Sequence, residues 1–187
     1  MIIKYFDIKN NLKKNVSFYL LYGVNIGLIE ETIKTTLKPV FSKNIFNYEE
    51  NEILTNIEEF EKNIFNKSFF ENDKLIIINR ASDKILNLLE DIINKGVLET
   101  VIIIKSGALE KKSRLRNFFE KDKRTFTVPF YEDNHQSLMS IAQNFFKEKK
   151  IKISSQNINY IIERSKGNRI NLRNELEKIE NFSKKKL

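Results

Sequence analysis

Short apolar runs alternate with helical stripes through the first two thirds of the chain. FYLLY (18–22), LIII (75–78) and VIII (101–104) are strand-length and free of polar residues. That is the pattern of strands buried on both faces of a parallel sheet. NIFNY (44–48) reads as a weaker strand and TFTV (125–128) as a short one ended by Pro129. Between them, Ile29, Ile33 and Leu37 form a stripe closed by Pro39. Ile53, Ile57, Phe60 and Ile64 form a second stripe, and Ile85, Leu88, Leu89, Ile92 and Ile93 a third, with Ser82 as its N-cap and Gly96 just past its end. Ser113 caps a fourth, carrying Leu115, Phe118 and Phe119. This alternation predicts an α/β domain over residues 1–132, an open parallel sheet with helices on both faces.

After VPFYEDN (128–134) only helical spacing remains. Leu138, Ile141, Ala142, Phe145 and Phe146 recur at i, i+3, i+4, i+7 and i+8. Ile158, Ile161 and Ile162 follow a Ser154–Ser155 cap, and Gly167 separates them from Leu172, Leu176 and Ile179. Residues 133–187 are therefore expected to form a small helical domain, with the closing SKKKL as the start of a linker.

Composition narrows the function. At 41% hydrophobic and 31% charged, the 187 residues describe a soluble globular protein. No apolar run approaches the roughly 20 residues that span a bilayer, and Lys4, Asp7 and Lys9 break any signal-peptide pattern. The chain lacks cysteine, which removes disulfides, thiolate nucleophiles and zinc ribbons and fits a cytoplasmic setting. The net charge of +8 is uneven: residues 1–134 carry 21 basic and 20 acidic side chains, residues 135–187 carry 12 and 5. The second domain is thus a candidate polyanion surface, through Lys147, Lys149, Lys150 and Lys152. A Lys-, Asn- and Ile-rich composition of the AT-rich-genome kind accounts for the surplus equally well.

An α/β sheet followed by a small helical domain is the outline of a P-loop ATPase with a lid. A phosphate loop needs G-x-x-x-x-G-K-[ST]: amides around the phosphates, a lysine beside them and a hydroxyl on magnesium. Counted from Gly23, the second glycine, the lysine and the hydroxyl are replaced by Leu28, Ile29 and Glu30, and Gly27 comes one position early. A carboxylate at 30 repels a triphosphate, so Gly23 and Gly27 read as turn glycines of a degenerate loop. The later strands end in Asn79–Arg80 and Lys105–Ser106, where an acidic magnesium site belongs. The single histidine, His135, reads as a surface or cap residue, and Glu58–Glu59 as a solvated helix face. No intrinsic catalytic site, cofactor or metal is expected. KSGALEKKSRLR (105–116) is a basic loop and helix start; Lys111, Lys112, Arg114 and Arg116 are candidate contacts for DNA or an acidic partner.

Five segments, in order, resemble the delta subunit of the bacterial DNA polymerase III clamp loader. YLLYGVNIGLIEE resembles its opening strand and non-functional loop, NKSFFENDKLIIINRASDK its clamp-binding segment, and VIIIKSGALEKKSRLRNFFE the next strand, loop and helix. VPFYEDNHQSLMSIA resembles the lead into the lid and GNRINLRNELEKIENF a lid helix, so the likeness runs over roughly residues 16–182. It implies an AAA+-like fold and a protein that opens the ring-shaped sliding clamp, the beta subunit, for loading onto primed DNA. By that match Phe69 and Phe70 form a hydrophobic wedge for a pocket on the clamp, and Ser68 shapes their turn. The implied setting is the polymerase holoenzyme, a nucleotidyltransferase, with delta-prime and gamma/tau subunits as partners of the full-length protein. The family's third, collar domain is absent from these residues, and the chain reads as a truncated form. Two other functions fit the residues: a basic DNA-binding scaffold, and an active P-loop NTPase with an atypical loop.

Overall fold

The computed structural model describes residues 1–11, 16–40, 44–65, 74–97 and 100–184. Met1–Phe130 and Tyr131–Leu187 are two compact units. The first begins with a 3₁₀ turn (Tyr5–Asp7) and α1 (Ile8–Asn11), then runs β1 (Phe18–Gly23), α2 (Ile26–Thr32), β2 (Asn44–Glu49), α3 (Glu50–Thr55), α4 (Ile57–Phe65), β3 (Lys74–Asn79), α5 (Leu86–Lys95), β4 (Thr100–Ser106), α6 (Arg114–Lys121) and β5 (Thr125–Phe130). The strands make one sheet in the order β2-β3-β4-β1-β5, all pairs parallel.

Alternate residues of the strands feed two cores. Phe18, Leu20, Tyr22, Ile76, Ile78, Ile102 and Ile104 pack under α3–α6, against Phe60, Leu89, Ile92 and Phe119. Tyr19, Leu21, Leu75, Ile77, Ile103, Phe126 and Val128 face Ile8, Ile29, Ile33 and Leu37 on the other side. Uniformly apolar strands are what a sheet covered on both faces requires.

Two expectations are corrected. Pro129 does not end the last strand: β5 continues to Phe130. β5 pairs with β1 on one side only. Thr127, two residues earlier and so of the same orientation, turns its N–H away from β1 to the carbonyl of Met1. Position 129 therefore has no donor to supply to the ladder, and an edge strand tolerates proline there. The stripe from Ile53 to Ile64 is two helices, broken at Asn56, whose side chain accepts from the Glu59 N–H at 3.2 Å and caps α4. Ile57, at the break, is exposed. The π-helical turn Ile33–Leu37 extends α2, closed by Lys38 N–H donating to the Ile33 carbonyl at 2.8 Å.

In the second unit, α7 (His135–Glu148), α8 (Ser155–Arg164) and α9 (Arg169–Lys184) enclose Leu138, Ala142, Phe146, Ile158, Ile161, Ile162, Leu172 and Leu176. Asn134 and Ser154 cap the first two helices, and Asn168 Oδ1 accepts from Asn171 N–H at the third. His135 is the exposed first residue of α7. Gly167, at φ +72°, supplies the left-handed turn between α8 and α9. Asp133 and Arg169 form a buried ion pair at 2.6 Å, joined by the Ser137 hydroxyl. Ser183 and Lys184 end α9 and are not linker.

Among the described residues the buried Tyr19 hydroxyl has no hydrogen-bond partner, and burial pushes this phenol up to about 12. Tyr19→Phe is expected to hold stability at neutral pH or raise it by about 1 kcal/mol, since an unpaired buried group is removed. A raised phenol contributes stability below its unfolded value of about 10 and loses it as pH climbs towards about 12. Over that window the wild-type denaturation midpoint should fall more steeply than that of Tyr19→Phe, as measured by urea titration.

Candidate functional site

Open parallel sheets bind their ligands at the carboxyl ends of the strands, and the residues singled out for nucleotide chemistry meet there. Gly23 ends β1 at φ +144°, and a Cβ on it would lie 2.0 Å from the Phe130 carbonyl oxygen. It is glycine because two backbones touch at this point. Gly27 is not a turn residue; it lies inside α2. Several amides of this loop are engaged within the chain. Gly23 N–H donates to Gly107 O at 3.0 Å, Ile26 N–H to Val24 O at 3.0 Å, and Leu28 N–H to the Asn25 side chain at 3.1 Å. Val24 and Ile26 expose apolar side chains from the same loop.

Beyond the loop the crevice holds a cation from the chain itself. Lys105, near the end of β4, pairs with Glu30 of α2 and donates to Asn79 Oδ1 at 2.8 Å, and Asn79 Nδ2 donates to the Tyr48 carbonyl at 3.2 Å. Lys105 is 17% exposed, and both partners satisfy its ammonium. The replaced hydroxyl position and the replaced acidic position thus take opposite ends of one ammonium. In the sequence each departure stands alone; only the topology brings residues 30, 79 and 105 together. Next to Asn79, Arg80 adopts a left-handed φ of 54° and pairs at 3.2 Å with Glu49 on the surface.

The basic loop before α6 is held by a residue that carries no signal in the sequence. Asp83 accepts from Ser113 Oγ at 2.7 Å and from the amides of Leu115 and Arg114. These bonds, with that of Leu115 foremost, hold its carboxyl below the usual range. Lys111, Lys112 and Arg114 are exposed, with Lys112 near Glu110 at 3.0 Å. Arg116 is committed within the fold: it pairs with Glu120 at 2.8 Å, donates to the Leu109 carbonyl and lies 5.1 Å over the Tyr22 ring.

Ser68, Phe69 and Phe70 lie outside the described residues. The residues flanking their segment are joined to one another. Lys74 Nζ, at the start of β3, donates to the carbonyl of Asn63 in the last turn of α4 at 3.0 Å. Asn63 Nδ2 donates to the Tyr48 hydroxyl at 3.3 Å, and the Tyr48 ring meets Phe60 edge-on at 5.1 Å. In the second unit, Lys147, Lys150 and Lys152 are exposed at the end of α7 and just beyond it. Lys149 instead pairs at 3.0 Å with Glu180, which also takes Lys184.

The family model described as "DNA polymerase III, delta subunit" matches residues 19–129. Among solved structures, the chain is similar to the Bacillus subtilis DNA clamp loader delta protein YqeN, at 18% identity and a TM-score of 0.61, over 95% of this chain and 57% of that one. Domain III of the Thermotoga maritima replication initiation protein DnaA aligns at 14% identity and a TM-score of 0.54, over 94% and 79% of the two chains. Thermotoga maritima RuvB aligns at 15% and 0.58, over 90% and 56%. These three likenesses establish the fold, and the chain spans 57% of the length of the Bacillus protein. No curated protein matches the sequence.

If the Lys105–Glu30 contact is the crevice's own substitute for a ligand, two results follow. A fluorescent ATP analogue with magnesium should show no saturable binding to the chain by anisotropy. A double-mutant cycle through Glu30→Gln and Lys105→Met should give a coupling of about 0.5–1 kcal/mol in urea denaturation, the size expected with Glu30 half exposed.

Proposed function

The chain belongs to the DNA polymerase III delta-subunit family, and from that premise we propose that it binds the sliding clamp and opens the ring. Phe69 and Phe70 are the wedge that enters an apolar pocket on the clamp, and Ser68 shapes the turn that presents them. Residues 1–132 act as an AAA+-like domain with a degenerate nucleotide site, and residues 133–187 as its lid. The protein works in the cytoplasm, with delta-prime and gamma/tau subunits assembling on the full-length form and primed DNA held in the complex.

One observation carries this reading: at the strand ends where a nucleotide would need a free lysine, Glu30 and Asn79 take the Lys105 ammonium, so the domain is built for a partner and not for a triphosphate. With no triphosphate to hold, the energy for opening the ring comes from the partner. A wedge that binds the open interface more tightly than the closed one shifts the ring toward opening by that difference. The closed crevice also counts against an NTPase with an atypical loop.

Surface plasmon resonance against the cognate clamp tests the reading. Burying each phenylalanine is worth about 1.5–3 kcal/mol, so Phe69→Ala/Phe70→Ala should weaken binding about a hundredfold or more while circular dichroism stays native. Undiminished binding by a folded double variant would remove the wedge.

The exposed lysines at the end of α7 favour a second reading, a DNA contact on the second unit. Cations there also complement the helix dipole, so salt dependence decides. Replacing Lys147, Lys150 and Lys152 with Gln should flatten the slope of log affinity for duplex DNA against log salt by about 0.9 for each phosphate that is no longer neutralised. An unchanged slope assigns these lysines to the helix end alone.

A further inference from the structure

We propose that the loop between β4 and α6, with Lys84 of the neighbouring connection, contacts the phosphate backbone of duplex DNA, and that Asp83 and Asn117 position it; the inference rests on the reading above that primed DNA is held in the complex. Residues 107–113 join β4 to α6, and Lys84 lies in the turn between β3 and α5. Ala81 N–H donates to the Lys105 carbonyl at 2.8 Å and Ser106 Oγ to the Ala81 carbonyl at 2.6 Å, so the two connections are tied at the strand ends. Asp83 ties them again where α6 begins, through Ser113 and the amides of Arg114 and Leu115. Lys84, next to Asp83, is thereby brought beside Lys111, Lys112 and Arg114, and all four are exposed.

The backbone of the loop is fixed while its cations face solvent. Gly107 O accepts from Gly23 N–H at 3.0 Å, and Glu110 O from Ser113 N–H at 3.0 Å. Leu109 O accepts from Arg116 Nη1 at 3.1 Å, and Lys111 O from Asn117 Nδ2 at 2.8 Å. A loop held this way gives up little conformational freedom when a ligand arrives. The first amides of α6 are taken by Asp83 and Ser113, so side chains, not the helix end, meet the anion. The chemistry of the surface selects the ligand. Residues 80–86 and 106–116 expose no large apolar side chain, whereas a protein partner is gripped through aromatic or aliphatic anchors. Cations without such anchors fit a phosphate backbone, which lysine and arginine bind without reading sequence.

Fluorescence anisotropy of the full chain against a labelled duplex, over a range of salt, tests this. Lys84→Gln and the triple variant Lys111→Gln/Lys112→Gln/Arg114→Gln should flatten the slope of log affinity against log salt by about 0.9 for each phosphate no longer neutralised. Asp83→Ala removes a negative charge from a basic surface, which by itself tightens DNA binding. If Asp83 positions the loop, affinity falls about threefold or more instead. Asn117→Ala changes no charge and should weaken binding likewise, with circular dichroism confirming a native fold in both. Tighter binding by Asp83→Ala overturns its positioning role. Slopes unchanged in the Gln variants, but flattened when Lys147, Lys150 and Lys152 are replaced, overturn the loop contact and leave DNA on the second unit. Gln variants that bind DNA as the wild type does yet lose clamp affinity assign the loop to an acidic protein surface and overturn the proposal as well. If the unsubstituted chain binds no duplex at low salt, the DNA reading fails and this inference with it, while clamp binding is measured separately.

Discussion

The central strands β3, β4 and β1 must be dry on both faces. Leu75 to Ile78, Ile102 to Ile104 and Tyr19 to Leu21 are almost fully buried, so helices are needed above and below, and each connection must cross the sheet from end to end. Polar side chains of α2, β3 and β4 meet at the carboxyl ends of the strands. There the backbone closes as well. Gly23 touches Phe130 directly, so β1 and β5 are locked at the point where a phosphate loop would need room.

At those ends, a P-loop protein leaves amides, a lysine and a carboxylate unsatisfied until nucleotide arrives. In this chain the side chains that replace them pair with one another. Asn25 takes the helix amide, Glu30 and Asn79 share the Lys105 ammonium, and Tyr48 takes the amide of Asn79. A triphosphate entering the crevice would have to break these contacts and face Glu30, and freeing Lys105 for it would cost that lysine its own carboxylate. The same replacements that remove nucleotide chemistry therefore hold α2 to β3 and β4, and the domain keeps its shape without a ligand.

Much of this was legible in the sequence. Runs such as LIII and VIII have one reading in an α/β pattern, and Ser82, Ser113 and Gly96 mark helix ends by their own chemistry. What escaped depended on neighbours. Pro129 stops a strand only if its nitrogen faces a paired strand, which the edge position of β5 decides. Ile57 keeps perfect helical spacing, yet Asn56 prefers to cap the next helix rather than continue the last. Arg116 looks like its basic neighbours in sequence, and only the fold brings Glu120 and Tyr22 to it. Lys149 similarly leaves the basic group when α9 delivers Glu180. The aromatic pair itself was singled out by resemblance, not by periodicity.

The way α4 ends bears on the proposed use of Phe69 and Phe70 as a wedge. A segment that becomes ordered only when it docks loses about 1–2 kcal/mol per residue, so ordering a few residues already offsets what two buried phenylalanines return. Two exposed rings on a loose loop would therefore bind poorly. Here the last turn of α4 and the start of β3 are joined by one hydrogen bond, Lys74 to Asn63, and Asn63 is held in turn by Tyr48, whose ring is packed on Phe60. The anchor thus runs back into the dry core under α3–α6. Fixing both ends in the free protein moves part of the ordering cost from binding to folding, where the buried sheet already carries it. The proposed wedge would thus draw on the rigidity of the core, and the network that holds α2 to the strands supports the same frame from the opposite face.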